Sequence, residues 1–587
     1  MTLKIEQILE YSTIFPEKDY ASYQVDLVLK KYSREMLIRA VNVLSMNYGN
    51  AYMPDPQKTF FSSVIRPQLF EDIDNRICKY LQNTHRKKVC FCTQRTILEL
   101  LRRIFEIPPT DFKNDGTPDV FEYDLFCILV YLNEALMKFK SYNEYDPDKF
   151  QALIYLSNYV HNDLTNIDYK RVLLTQILYF NYLRLFLNNC QDAISLRNNV
   201  LSNLRISDLD EFMYTITCLV ALYVNEKSTS NGCPMLNLDK IKAARLNKNI
   251  CEFLSIGMDD TYPYDILNDK DYNKRDNNLD YRVFRSHPLI KMDDGCYIIY
   301  SLPILCERLY NGFVFDLSNA YTGKDFFSFY NKQFVEHYLF HNIILNCIGK
   351  HTSCTYPTIA EINSGNYKKE QHHQPDFYIR EKYKLVIFEC KSIKLHSIIR
   401  ENADVDELIG ILQNKLEESI QNIDKSRHVK DKSELVGISQ LINYIVRIED
   451  DIFPFDNTIP DDVAYYPVLV LDDPLIIQLG LTNLLNQWYY KRIKKQIPEA
   501  MCHPLVVTSI DMLALYSNIF RKQGFTAIFD KFFSENVNYT KDGFVDSISP
   551  VMDFSVFLHT HYHPNKTAIN NMVSHLNEVA KSYIFNS

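Results

Sequence analysis

Glycine is scarce in this chain, with 14 residues in 587, and there is a single tryptophan. So few glycines argue against an architecture built on glycine-rich nucleotide-binding turns and suit a chain dominated by helices. No uninterrupted apolar run reaches the ~18–20 residues that cross a bilayer. The 14 cysteines fall singly, apart from Cys90-Phe-Cys92, without a disulfide framework or zinc-ribbon spacing. The opening Met-Thr-Leu-Lys-Ile-Glu-Gln is charged and lacks the apolar region of a secretory signal, so the expected location is the cytoplasm. Gly-x-Ser-x-Gly and His-Glu-x-x-His are missing. A Gly-Lys pair occurs at Gly323-Lys324, but Ser318 stands where a Walker A loop needs its first glycine. Basic charge is not in excess either. The net charge of −9 excludes a globally basic nucleic-acid binder and leaves room for a local patch.

What is present is abundant aromatic and aliphatic material. Hydrophobic residues make up 46% of the chain, with 41 tyrosines and 36 phenylalanines, which implies folded domains and not disorder. The length predicts two to four domains. Residues 1–245 read as a helical sensor or interaction domain. Amphipathic or buried segments fall at Leu98–Phe105, Phe126–Phe139, Phe150–Tyr159, Tyr169–Leu187 and Leu209–Val224, with breaks at Pro108-Pro109, Asn114–Pro118 and Asn188-Asn189. His85-Arg-Lys-Lys88 with Arg95 reads as a solvated helix end or a basic patch. Residues 246–324 read as a connecting segment. It holds the polar stretch Asn268–Asn278, a hairpin turning on Asp294-Gly295, and a helix over Leu302–Phe313.

From Asp325 the pattern changes. A long aromatic helix, Phe326–Ile348, precedes a first strand over Thr352–Ile362. Helices follow over Val405–Asp424 and Ser433–Arg447, then buried strands Tyr466–Leu471 and Pro504–Thr508. This order predicts an α/β domain over 325–520, with a central mixed sheet flanked by helices on both faces, and a mixed extension over 521–587.

Within that domain Asp376 to Lys391 stands out. Leu385–Phe388 is a buried-strand run, yet it ends in Glu389-Cys390-Lys391, and a buried strand has no ordinary reason to carry such charges. Side chains two apart share a face, so Glu389 and Lys391 go with Ile387 and Leu385, while Val386, Phe388 and Cys390 face the other way. A hairpin turning at Lys382-Tyr383 sets Asp376 opposite Glu389. Two carboxylates that close repel unless a cation lies between them.

Pro375-Asp376, a short hairpin and Glu389-Cys390-Lys391 resemble the PD-(D/E)xK nuclease superfamily, which has the restriction-endonuclease-like fold. The resemblance covers about 200 residues of the C-terminal half. It implies Asp376, Glu389 and Lys391 as catalytic residues, with Asp376, Glu389 and the Cys390 backbone carbonyl as ligands for Mg²⁺, for which Mn²⁺ can substitute. It implies hydrolysis of phosphodiester bonds, with DNA favoured over RNA and endonuclease over exonuclease action. Glu336 on the preceding helix resembles the extra acidic residue of some members. Gln440-Leu-Ile-Asn-Tyr444 resembles the Gln-x-x-x-Tyr element of others, although it lies 49 residues after Lys391 and Gln421 competes for the role. A helical region joined to this kind of nuclease resembles bacterial antiviral or mobile-element defence proteins. The implied partners are nucleic acid and either a second copy of the chain or another protein, held through the helical half.

Residues 368–400 hold eight Lys/Arg against four Asp/Glu. Lys368, Lys369, Lys382, Lys384 and Lys394 are therefore candidate nucleic-acid contacts, or else ordinary surface lysines beside a buried strand. Lys391, beside a cation and short of solvent, is expected to have a depressed pKa. His559-Thr-His561-Tyr-His563 would align three imidazoles on a strand, as for a transition metal; exposed or core-satisfied histidines are the ordinary alternative. The competing whole-chain reading is a catalytically inactive nuclease-like scaffold that binds nucleic acid or a protein.

Overall fold

The computed structural model describes residues 7–48, 67–84, 89–116, 118–136, 147–161, 169–229, 235–237, 245–261, 281–363, 374–395, 404–420, 433–541, 545–549 and 552–566, with single positions at 570, 574, 578 and 581. Among them no helix is long and apolar enough to cross a membrane. The first half is helical as expected, with helices at Gln94–Glu106, Pro118–Leu136 and Leu209–Thr229 among others. Asp294-Gly295 closes the hairpin between Leu289–Lys291 and Tyr297–Ile299, with Gly295 at φ 77° as such a tight turn requires. The basic run His85–Lys88 and the stretch Asn268–Asn278 lie outside the described residues, and Arg95 is buried.

The main sheet is C-terminal, but its cover starts earlier. Two helices of the first half, α1 (Pro147–His161) and α2 (Tyr169–Asn189), pack into it. Helix α3 runs through Phe326–Phe329, a π-helical Tyr330–Phe340 and His341–Leu345. Strands β1 (Cys354–Tyr356), β2 (Phe377–Glu381) and β3 (Lys384–Lys391) form an antiparallel meander. After α4 (Val405–Leu412) and α5 (Ile438–Glu449), β4 (Ala464–Leu471) returns parallel to β3 along its whole length. Helix α6 (Leu481–Gln496) leads to β5 (Val506–Ser509), parallel to β4, with Met501–Cys502 extending the same edge. Helices α7 (Phe525–Asn536) and α8 (Phe554–His561) follow.

Alternation along β3 explains the layering. Val386, Phe388 and Cys390 enter one core with Val468, Val470 and Val506, capped by α2, α3, α7 and α8. Leu385 and Ile387 enter the opposite core with Leu469, Leu471 and Val507, capped by α1, α4, α5 and α6. Phe388 meets Phe340 of α3 at 6.2 Å and Phe525 of α7 at 5.2 Å between ring centroids. Full burial of such a side chain stabilises by ~1.5–3 kcal/mol. A third core joins described residues of the N-terminal helices, Leu37, Leu101 and Leu129 among them, to Tyr281, Phe284, Ile290 and Ile298.

Residues on both sides of positions 245, 324 and 520 share these cores. Helices α1 and α2 belong to the cover of the sheet, and so do α7 and α8 beyond 520. Three local expectations change. Only Cys354–Tyr356 of Thr352–Ile362 is strand. Pro357 lacks an N–H for the ladder, and Thr358 and Glu361 then cap the helix Ile359–Asn363 reciprocally. The helix expected over Val405–Asp424 gives way at Glu418–Ile420 to a strand pairing with Ser433–Leu435, so the next helix begins at Ile438 and not Ser433. Gly437, at φ 47°, presses against the Leu416 carbonyl there; any Cβ would fall 2.3 Å from that oxygen. Finally, His559 and His561 sit on a helix, where residues two apart do not share a face. His559 Nδ1 meets the Tyr516 hydroxyl at 2.6 Å, and His561 Nε2 meets Glu535 at 3.0 Å. The three-imidazole strand expected through His563 is therefore not formed.

Candidate active site

The β2–β3 register is the predicted one. Glu381 pairs with Lys384 across the two-residue loop Lys382-Tyr383, and Phe377 pairs with Phe388. Just before the strand, Asp376 reaches the end of β3 through its bond to the Cys390 N–H. Lys382 adopts φ 62°, the left-handed backbone that so short a loop demands. On the other side Leu471 of β4 pairs with Lys391. The ends of three central strands thus meet at Glu389-Cys390-Lys391.

Asp376 is buried and its Oδ2 accepts the Cys390 N–H at 2.8 Å. Its backbone carbonyl faces Nε2 of buried His341, on α3, at 2.9 Å. Glu389 is 0% exposed, and its Oε1 lies 2.7 Å from Lys391 Nζ. From α5, the Tyr444 hydroxyl lies 2.9 Å from the Gln374 carbonyl and 3.3 Å from Glu389 Oε2, so its single proton links the approach to β2 with the end of β3. Glu336 lies on the π-helical part of α3, half-buried, and its charge reaches both Cys390 and Lys391. Such wide turns recur at functional sites.

Burial by itself pushes the Lys391 ammonium towards neutrality, but with no cation bound Glu389, Asp376 and Glu336 outweigh it and raise the pKa above the ordinary lysine value. Burial, with Asp376 and Glu336 nearby, pushes the Cys390 thiol up, so it is no nucleophile. Two carboxylates and a backbone carbonyl are hard oxygen donors of the kind Mg²⁺ takes, with water and substrate completing its shell. Among the described residues no group of three or more His, Cys, Asp or Glu side chains forms a metal cage.

The other expected site residues scatter. Gln440 Oε1 accepts the Gly437 N–H at 2.9 Å, so it caps α5 one turn before Tyr444. Lys382 and Lys384 sit at the opposite end of the hairpin. Lys384 lies seven residues from Lys391, roughly 23 Å along an extended strand, and it pairs with Asp530. Lys394 does stay near the strand ends, held by Asp473 at 3.3 Å and Asp472 at 3.9 Å. Lys368, Lys369 and Gln421 lie outside the described residues.

Sequence reasoning missed Asp472, buried at the end of β4, whose Oδ2 accepts the Ser392 hydroxyl at 2.7 Å. Burial raises its pKa, against the pull of Lys394. The signal was available, since an apolar strand ending in Asp472-Asp473 repeats the anomaly of β3. His341 left no comparable mark. Compared with family models, curated proteins and solved structures, the chain matches none.

Proposed function

We propose that the chain is a metal-dependent nuclease that hydrolyses phosphodiester bonds, DNA in preference, through Asp376, Glu389 and Lys391. On this reading β1–β4 and their helices are a restriction-endonuclease-like fold. The observation that carries it is a convergence of acids. Asp376, Glu389 and Glu336 all act on the Lys391 ammonium, with Asp376 and Glu389 buried. Carboxylate oxygens gathered at one strand end suit a divalent cation. Asp376, Glu389 and the Cys390 carbonyl would hold Mg²⁺ or Mn²⁺, which when bound supplies an activated water and a counter-charge for the phosphoryl oxygens.

The protein's own groups divide the remaining work. Lys391 offers N–H donors to a phosphate oxygen or to the attacking water. His341 fixes the backbone of Asp376, and Tyr444 fixes that of Gln374 while touching Glu389. Cutting both strands of a duplex takes two such sites, so the reading implies a homodimer or a second catalytic partner. Defence against invading nucleic acid is the role that the fold-level resemblance supports.

One observation favours the alternative of an inactive scaffold: the 2.7 Å Glu389–Lys391 contact is also what a structural ion pair looks like. A single assay separates the two. Wild type, Asp376→Ala and Lys391→Ala are incubated with linear, circular and single-stranded DNA and with RNA, in Mg²⁺, Mn²⁺ or EDTA. Cleavage that needs both metal and the two side chains is expected. Binding without cleavage in the wild type would overturn the nuclease reading in favour of the scaffold.

A further inference from the structure

A second polar feature lies apart from the strand ends. A cavity of about 340 Å³ opens between α1, α6 and the strand Val545–Ile548. This is within the size range of small-ligand sites. Its wall is unusual for the inner side of a helix covering a sheet. Asn483, Asn486, Gln487, Tyr490 and Lys494 of α6 fall at helical spacing on one face, and Gln151 of α1 stands across from them. Asn486 is fully engaged in framing the wall, donating to the Thr482 and Leu505 carbonyls at 2.9 Å and accepting the Leu505 N–H at 2.8 Å. Asn483 donates to the Ser549 carbonyl at 3.1 Å.

The remaining polar atoms are not matched in this way. Gln151 Oε1, Asn483 Oδ1, Gln487 Oε1 and the Tyr490 hydroxyl are shielded from solvent and have no hydrogen-bond partner among the described residues. Gln151 and Asn483 are each more than nine-tenths buried, at 7% exposure. A buried polar group left this way costs ~1–3 kcal/mol, and four around one cavity form a pattern that an apolar lining would avoid. The terminal torsion of an amide is broad, so the Gln151 and Gln487 amides can turn to the cavity. Gly480, at φ 98°, holds the wall close. A Cβ there would come within 2.8 Å of the Gln151 carbonyl oxygen, forcing α1 and α6 apart.

We infer that this cavity binds a purine nucleoside monophosphate. The inner wall is neutral and rich in amides, each a planar donor–acceptor pair of the kind that reads a purine edge. Asp546 and Ser547 are exposed on the bordering strand, where an acid suits ribose hydroxyls. Lys494 is the cation at the exposed end of the α6 face, where a phosphate would emerge. The wall unites a helix of the first half with the cover of the sheet, so an occupant would tie α1 to α6. The inference does not depend on the nuclease reading.

Isothermal titration of the full chain with AMP, GMP, adenosine, inorganic phosphate and glucose 6-phosphate tests it. One purine nucleotide should bind per chain, with adenosine weaker and phosphate alone not retained. Asn483→Leu and Gln487→Leu should each weaken AMP binding by ~10-fold or more, the loss of about one hydrogen bond to a buried polar group. Lys494→Ala, at an exposed position, should bring AMP down to the affinity of adenosine and leave adenosine unchanged. Lys391→Ala should bind AMP as the wild type does. Absence of saturable binding by both AMP and GMP overturns the inference. So does AMP affinity unmoved by Lys494→Ala, glucose 6-phosphate binding as tightly as AMP, or loss of AMP binding in folded Lys391→Ala, which would place the nucleotide at the strand ends instead.

Discussion

Replacing Lys391 with methionine removes the cation from a carboxylate that is 0% exposed and 2.7 Å away. The Tyr444 hydroxyl lies 3.3 Å from Glu389 Oε2 and shares its proton with the Gln374 carbonyl at 2.9 Å. Orphaning one member of a buried ion pair costs ~3–5 kcal/mol. For a cooperative unit of about 200 residues each kcal/mol moves the melting temperature by ~2–4 °C, so a fall on the order of 10 °C is expected in EDTA. Adding Glu389→Gln removes both charges and should recover all but about 1 kcal/mol. A divalent cation should do the same by another route. Asp376 and Glu336 act at the same place, so Mg²⁺ should raise the melting temperature of Lys391→Met more than that of the wild type. At a hundredfold excess over its dissociation constant the rescue is worth about 2.7 kcal/mol. Thermal melts followed by circular dichroism, in EDTA and in Mg²⁺, provide the measurement without recourse to activity. A Lys391→Met chain that melts with the wild type would refute the buried-pair reasoning. A chain destabilised as expected but indifferent to Mg²⁺ and Mn²⁺ would refute the metal assignment.

Glu381 accepts the Phe525 and Thr526 N–H groups at 2.9 and 3.0 Å and the Thr526 hydroxyl at 2.7 Å, capping α7 from the hairpin. Glu381→Ala should therefore cost about 3 kcal/mol in urea unfolding, and Glu381→Gln less. Burial pulls the His503 imidazole down from 6.5 to about 4, with Asp530 pulling upward and Lys384 downward. Below pH 6.5 the unfolded chain takes up a proton that the folded chain refuses. Stability should thus fall as pH drops from 6.5 to 4, by about 3 kcal/mol in all, and a His503→Phe chain should lose that slope. Lys382→Ala and Lys384→Ala should leave nucleic-acid affinity within about twofold, since both residues lie far from Lys391 along the strand; a large loss would return them to the binding surface. A chain beginning at residue 325 forfeits Ala152, Tyr155, Leu156, Ile177, Phe180 and Leu183 from the two faces of the sheet. That burial is worth on the order of 10 kcal/mol, comparable with the whole net stability of a domain, so the fragment should lack a cooperative melt.

The β2–β3 hairpin was legible because a two-residue loop and a period of two leave one register that buries both faces of β3. The same periodicity assigned Val386, Phe388 and Cys390 to one core and Leu385 and Ile387 to the other. The membership of α1 and α2 in the sheet's cover was not legible, because an amphipathic pattern says that a face is buried and not what buries it. The sign of the Lys391 shift hung on how many carboxylates converge from distant elements, which no local pattern counts. The strand alternative for His559–His563 fails for a different reason. Phe554, Phe557, Leu558 and His561 already carry helical spacing, and that longer period decides the element over the alternation of three histidines.

The same sheet holds buried carboxylates that need no cation, and they define what a structural one looks like. Asp456 receives Arg380 at 2.6 Å, the Tyr378 hydroxyl at 3.0 Å and the N–H and hydroxyl of Thr458 at 3.0 and 2.9 Å. Glu381 likewise receives three donors at one helix start. In both places donors surround one acid. Around Lys391 three acids from different elements act on one ammonium, and Asp472 is buried nearby at the end of the adjoining parallel strand. Ligand crevices of α/β sheets lie outside the carboxyl ends of parallel strands, and β3, β4 and β5 end here together. A divalent cation held there would lower the mutual repulsion of these acids, and the metal dependence of the Lys391→Met melt measures that directly.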